Sequence, residues 1–350
     1  MTAERGWRTH PLVQLTLVRY REFYREPEAI FWVFIFPVLL TAGLGIAFRS
    51  RAPDRTPVAL VAHRADAALA ERLAGDSALK LRTLTDSSAA QALRAGDVAL
   101  VIVTTESGVE YRYDPERPDA REARLRVDDA VQRAAGRTDP VPAHARAVRE
   151  AGSRYVDFVV PGLLGMNLMG SGIWGIGFAI VDARRKHLLK RLVATPMSRT
   201  QYLASFVLSR LTFLVLEVAL LLGFAALVFG VPVRGSAGAL AGVCLLSALA
   251  FASLGLLLAA RPRTVEGVSG IMNLVMLPMW IFSGVFFSSS RFPDAVQPAI
   301  KALPLTAVND ALRATMLRGA GLGQVLPELG VIVAWLVLSF ALAVRLFRWR

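Results

Sequence analysis

Six stretches of this 350-residue chain are strongly apolar and close to 20 residues long: 30–48, 158–181, 206–229, 237–260, 268–287 and about 325–344. A helix needs about 20 residues to cross a hydrocarbon core of roughly 30 Å, and inside that core each backbone amide must find its partner within its own helix. The expected fold is therefore a polytopic α-helical membrane protein with six transmembrane helices. The sixth run is the least regular, because Pro327 and Glu328 interrupt its start.

Basic residues in the short flanks orient the spans. With the N-terminus inside, the cytoplasmic side carries five Lys or Arg in 1–29, six in 182–201, then Arg261, Arg263, Arg345, Arg348 and Arg350. The short outer pieces carry only Arg234, Arg291, Lys301, Arg313 and Arg318. Both termini are expected in the cytoplasm, which places 49–157 outside it. That long segment is nearly neutral, with 18 basic against 17 acidic residues, so the net charge of +13 marks topology and not a nucleic-acid surface. The first apolar run starts only at residue 30 and no small-x-small pattern follows it, so it is expected to stay as an anchor and not to be cleaved. Cys244, the single cysteine, falls inside the fourth run, which excludes a disulfide framework and a thiolate metal cluster.

The pieces between the spans are patterned. Residues 1–29 include HPLVQLTLVRYREFYREPE, in which aromatic, aliphatic and arginine residues mix as in a helix lying in the membrane interface. Residues 49–157 read as an inserted extracytoplasmic α/β domain of order βαβαββα, with strands at PVALVAH, LKLRTL, DVALVIVTT and GVEYRYD. Its first two helices each run to a glycine and its third covers about 119–135. His63 and His144 stand alone there and its carboxylates lie among arginines, a solvated surface and not an acid/base set.

Polar residues inside the spans are the candidate transport path. Glu217 sits near the middle of the third span with Arg210 seven residues earlier on the same face. A charge at that depth costs about 2.5–3.5 kcal/mol on insertion scales and must face the protein interior or a wet cavity. A structural pair with Arg210 and a place on the path both satisfy this. Asn167 and Ser171 on the second span and Asn273 and Met276 on the fifth complete the candidate set, with ordinary interhelical hydrogen bonding as the alternative reading of the Asn and Ser residues. Six glycines in 158–181 permit close helix contact or bending, and Pro37, Pro161 and Pro278 can kink their spans.

Two further segments are neither spans nor simple loops. In DARRKHLLKRLVATPMSRTQ, Leu188, Leu189, Leu192 and Val193 share one helical face, and Lys186, His187, Lys190 and Arg191 share the other. Pro196 disfavours helix at Thr195, and Ser198 and Gln201 have the spacing of a capping box that restarts it. After the fifth span, residues 288–324 hold two short helical patterns. Val296, Ile300 and Leu303 form one stripe, Val308, Leu312, Thr315 and Met316 the other, and Thr306 is placed to cap the second. The pattern fits helices dipping into the outer leaflet.

Three stretches together resemble the permease subunits of type 2 ABC exporters, in the subclass with a large extracytoplasmic domain after the first span. They are VVPGLLGMNLMGSGIWGIGFAIVDARRKHLLKRLVATPMSRTQYLASFVLSRL, MLPMWIFSGVFFSSSRFPDAVQPAIKALPLTAVNDALRATMLRG and VALVIVTTESGVEYRYDPERPDAR. The likeness implies a cytoplasmic coupling helix at 182–197, in which Arg184, Leu188, Leu189, Leu192, Val193, Thr195 and Pro196 meet an ATPase. It implies outer re-entrant helices marked by Pro304, Leu305, Thr306, Leu312 and Arg313, and five spans in 158–350. One departure stands out: His187 and Leu188 occupy the place where many relatives carry Gly-Thr after an acidic residue.

The partners implied are two copies of an ABC ATPase subunit, a second permease copy or paralogue, and membrane lipid, with no nucleic acid. The setting implied is a bacterial inner membrane. None of Lys80, Lys186, Lys190 and Lys301 follows a glycine as a P-loop lysine does, so no cofactor is expected on this chain and ATP and Mg belong to the partner. The function implied is ATP-driven export of a drug, antibiotic, lipid or glycan. A non-transporting transducer, in which ATP work moves the outer domain to regulate or sense a partner, is the alternative.

Overall fold

A computed structural model of the chain describes residues 10–48, 55–61, 67–76, 79–105, 108–137, 141, 152, 154–185, 199–262 and 264–346. It divides into two compact units, Met1–Arg49 with Arg149–Arg350, and Ser50–Val148. In chain order the first unit begins with α1 (Pro11–Tyr24) and α2 (Pro27–Ala47). The second unit holds β1 (Thr56–Val61), α3 (Ala67–Ala74), β2 (Leu79–Leu84), α4 (Asp86–Ala95), β3 (Leu100–Thr105), β4 (Gly108–Arg112) and α5 (Pro118–Ala134). The first unit then resumes with α6 (Tyr155–Arg185), α7 (Arg199–Phe229), α8 (Ala237–Leu258), α9 (Val265–Phe282), α10 (Gln297–Ala302), α11 (Pro304–Arg318) and α12 (Leu326–Leu346).

The smaller unit is a four-stranded sheet of order β2-β1-β3-β4, with β1 parallel to both neighbours and β4 antiparallel to β3. Because β2 and β3 flank β1 on opposite sides, the two right-handed crossovers must run on opposite faces of the sheet. The cores follow that rule. Leu73 of α3 and Ala123, Val127 and Val131 of α5 pack with Val58, Leu60, Leu100 and Ile102 on one face. Ala89 and Ala92 of α4 pack with Ala59, Val61, Val101 and Val103 on the other. The two central strands, β1 and β3, read as nearly continuous apolar runs because helices cover both faces. Gly96 ends α4 in the left-handed conformation, φ 79°, that a C-terminal cap requires.

Among the described residues, six helices are long and apolar enough to cross a membrane: α2, α6, α7, α8, α9 and α12. In the larger unit α6 is the central element. Of its six glycines, Gly170 and Gly175 face open space, whereas the other four mark close contacts. A Cβ on Gly172 would stand 2.8 Å from Phe251 Cβ, and one on Gly255 of α8 would stand 2.7 Å from the Ile173 carbonyl oxygen. A Cβ on Gly177 would collide with Met272 of α9, and one on Gly165 with Asn309 of α11. Gly172 and Gly255 let the backbones of α6 and α8 come together, and Gly177 and Gly165 make room on α6 for the side chains of Met272 and Asn309.

Three sequence expectations need correction. The fifth span ends at Phe282 and not at 287, because Gly284 turns the chain at φ 71° and Ser283, Gly284 and Val285 are buried in the packed unit. Thr306 does not cap α11: Leu303 is the N-cap, Pro304 occupies the first turn, and Thr306 lies inside the helix, buried. Proline at that position presets the helical φ and brings no donor that needs capping. Nor is α11 a one-sided interfacial helix. Eleven of its fifteen residues are buried, including Pro304, Leu305, Thr306 and Leu312, so it is packed into the unit nearly all round. α12 begins at Leu326, and Pro327 falls in its first turn, where a missing N–H costs nothing.

Candidate functional site

The polar residues of the second and third spans form one connected network at the α6–α7 contact. Arg210 Nη1 donates to Glu217 Oε1 at 2.9 Å, and Arg210 Nη2 donates to Ser171 Oγ at 2.6 Å. Ser171 Oγ in turn lies 3.0 Å from Glu217 Oε2 and 2.6 Å from the Asn167 carbonyl oxygen. A hydroxyl has one proton, so Ser171 accepts from Arg210 and donates to one of these two acceptors at a time. The Glu217 side chain is fully buried and the Arg210 side chain nearly so. The carboxylate thus faces a guanidinium and a hydroxyl, which is how a buried charge is kept at acceptable cost.

Asn167 joins the network to α2. Its Nδ2 donates to the Val33 carbonyl oxygen at 3.3 Å. Val33 lies four residues before Pro37, and proline has no N–H to bond that carbonyl. The backbone widens into a π turn over Phe31–Ile35, and the Asn167 amide takes up the oxygen that the proline leaves unpaired. On the far side of α7, Tyr20 of α1 meets Thr212 (Oη to Oγ1, 2.7 Å) and Phe23 packs on Phe213 with ring centroids 4.3 Å apart.

The two candidates on α9 are not brought into this network together. Met276 is buried on the packed face that runs through Val268, Met272 and Met279. Asn273 is exposed, beside Leu274 and Leu277, because it stands about 100° round the helix from Met272. The hydrogen-bonded network thus joins Asn167, Ser171 and Glu217 with Arg210, and contains neither Asn273 nor Met276.

Arg313 sits where α6, α9 and α11 converge. Its guanidinium lies 3.8 Å from the Phe158 ring centroid, its Nε donates to the Phe158 carbonyl at 3.3 Å, and its Nη2 donates to the Gly284 carbonyl. Asn309, one turn earlier, donates from Nδ2 to the Ser283 carbonyl at 2.8 Å. The carbonyls of the turn that follows α9 are thus held by α11. Gly162 of α6 makes room for this, since a Cβ there would stand 2.5 Å from the Val285 carbonyl oxygen and 3.1 Å from Arg313 Nη2.

Sequence reading missed two arginine clasps. Arg154 pairs with the buried Asp157 (Nη2 to Oδ1, 2.8 Å) and donates to the Phe229 and Gly230 carbonyls at 2.8 and 3.2 Å, closing the C-terminal end of α7. Arg184 donates to the carbonyls of Ala259, Ala260 and Pro262 at 2.8, 3.2 and 3.3 Å, closing the end of α8. The signal was the position of each arginine at an end of α6, where a cation meets a neighbouring helix C-terminus. Leu188, Leu189, Leu192, Val193, Thr195 and Pro196 lie outside the described residues, and α7 begins at Arg199.

The sequence profile described as an ABC-2 family transporter protein matches residues 27–345, which includes every span and the inserted domain. The chain belongs to the ABC-2 transporter family. It is a transport permease of the kind that forms the membrane component of ABC transporters. Among its relatives, linearmycin resistance permease protein LnrN of Bacillus subtilis is 22% identical over 384 aligned positions, which cover 96% of this chain and 97% of that one. ABC transporter G family member 20 of Dictyostelium discoideum is 26% identical over 194 residues, or 55% of this chain and 27% of the relative. Nodulation protein J of Rhizobium leguminosarum is 32% identical over 136 residues, or 38% of this chain and 48% of the relative. The chain thus spans about a quarter and about half of these last two proteins.

Proposed function

We propose that this ABC-2 permease is half of an ATP-driven exporter in a bacterial inner membrane. It pairs with a second permease copy or paralogue and two ATPase subunits, and moves a lipophilic or amphipathic cargo of the drug, antibiotic, lipid or glycan class outward. ATP and Mg act in the partner. The observation that carries the reading is the end-to-end alignment, over 96% of this chain and 97% of the relative, with a protein named as a linearmycin resistance permease. The positive-inside pattern supports cytoplasmic termini and an extracytoplasmic position for 49–157.

Export by alternating access needs the ATPase to bind the permease differently in the two states, because a contact of equal strength in both shifts nothing. The 182–197 segment, with its leucine face and basic face, is the proposed docking element. Replacing Leu189 and Leu192 by Asp puts two charges into that face. The expected result is that the ATPase no longer co-purifies with the permease while membrane insertion is unchanged; normal assembly of the double variant with the ATPase would overturn the docking assignment.

A further inference from the structure

We infer that Arg184 is a positioning residue that makes the loop between α8 and α9 move with the cytoplasmic end of α6, so that force arriving at the docking segment reaches three spans at once. The inference rests on the exporter reading above and concerns what happens after the ATPase has bound.

Arg184 lies in the last turn of α6, two residues before the 186–198 segment. α8 ends at Leu258 and α9 starts at Val265 with Thr264 as its N-cap, so only six residues join them. Three carbonyls of that loop, at Ala259, Ala260 and Pro262, converge on the one guanidinium. A planar, permanently charged fork can hold several carbonyls in a fixed geometry, whereas an ammonium on a flexible stem cannot. The contact also satisfies oxygens at the negative end of α8 that have no partner within the helix. Ala259 and Ala260 are buried, so the start of the loop is packed into the unit, while Arg261 and Thr264 are exposed.

The packing deeper in the unit tells which elements follow. α6 meets α8 at Gly172 and Gly255 without intervening side chains, and meets α9 where Gly177 receives Met272. With the Arg184 clasp these contacts make α6, α8 and α9 one block at the docking end. α7 is held to α6 differently, through the side-chain network of Ser171, Arg210 and Glu217 and through Arg154 at its far end. The docking segment joins α6 to α7, and thus joins a helix fastened to two neighbours to one that is not part of that block. Without the clasp, α6 can still be pushed, but the α8–α9 loop no longer has to follow.

The test uses the full permease with its ATPase subunit in lipid vesicles. A reporter thiol at Ser290→Cys in a Cys244→Ser background is labelled by a membrane-impermeant maleimide with and without Mg-ATP. In the background protein, ATP is expected to change the labelling rate by about threefold or more, as a shift between two populated states would. Arg184→Ala and Arg184→Lys are both expected to lose most of that change, read per ATPase that co-purifies with each variant. A role confined to charge would be rescued by Lys, whereas the three-carbonyl clasp is not. An ATP response per bound ATPase equal to the background in either variant would overturn the inference. No ATP response in the background protein would overturn the exporter reading itself, and the inference with it.

Discussion

At the scale of single residues, one backbone problem and one charge problem of the unit are answered locally. Pro37 leaves the Val33 carbonyl without its helical donor and Asn167 supplies one; Glu217 is buried and Arg210 and Ser171 surround it. If the Glu217 pair is structural, deleting one partner should leave the other charge buried and cost about 3–5 kcal/mol, while replacing both by apolar residues should be close to neutral. Glu217→Ala is thus expected to lower the thermal unfolding midpoint of the purified permease strongly, and Arg210→Met with Glu217→Leu to recover most of it. A double variant as unstable as the single one would contradict this. The pairing was legible in the sequence because seven residues are two turns of one helix. The Asn167 partnership was not, because its acceptor is created by a proline in another span, and only the fold brings the two within reach.

At the scale of elements, helix contacts follow the glycines more than the polar residues. Gly165 has no space for a Cβ because Asn309 of α11 fills it, whereas Gly170 faces open space on the same helix. Gly165→Ala is expected to destabilise the permease by about 1–3 kcal/mol through forced displacement of α11, and Gly170→Ala to be neutral, both read by chemical unfolding in detergent. Equal behaviour of the two variants would mean that α11 is not seated on α6 in this way. The sequence showed that six glycines lay in one span, yet their contacts depend on which neighbour arrives at each, which spacing alone does not encode. The boundary of α9 was misplaced for a related reason. Phe286 and Phe287 continue the apolar run, and the turn at Gly284 is set by the grip of Asn309 and Arg313 on the carbonyls of Ser283 and Gly284.

At the scale of the whole molecule, six apolar runs of membrane length and a neutral, strand-and-helix insertion were readable directly, because hydropathy and periodicity report what each segment buries. The order of the sheet strands followed only from the fold. The arginine clasps at both ends of α6 were hidden, since Arg184 also serves the positive-inside pattern and Arg154 stands among the many charges of 49–157, and neither setting hints at a carbonyl partner. The proposed export function rests on coupling to an ATPase. The deciding measurement is ATP-driven flux in vesicles that contain the full permease and its ATPase subunit, with linearmycin, a fluorescent phospholipid and an oligosaccharide as separate cargo probes. An exporter is expected to move at least one of these outward only with Mg-ATP, and the same probe is expected to stimulate ATP hydrolysis. ATP hydrolysis that moves none of them and responds only to a soluble protein added to the 49–157 side would contradict export and establish a transducer.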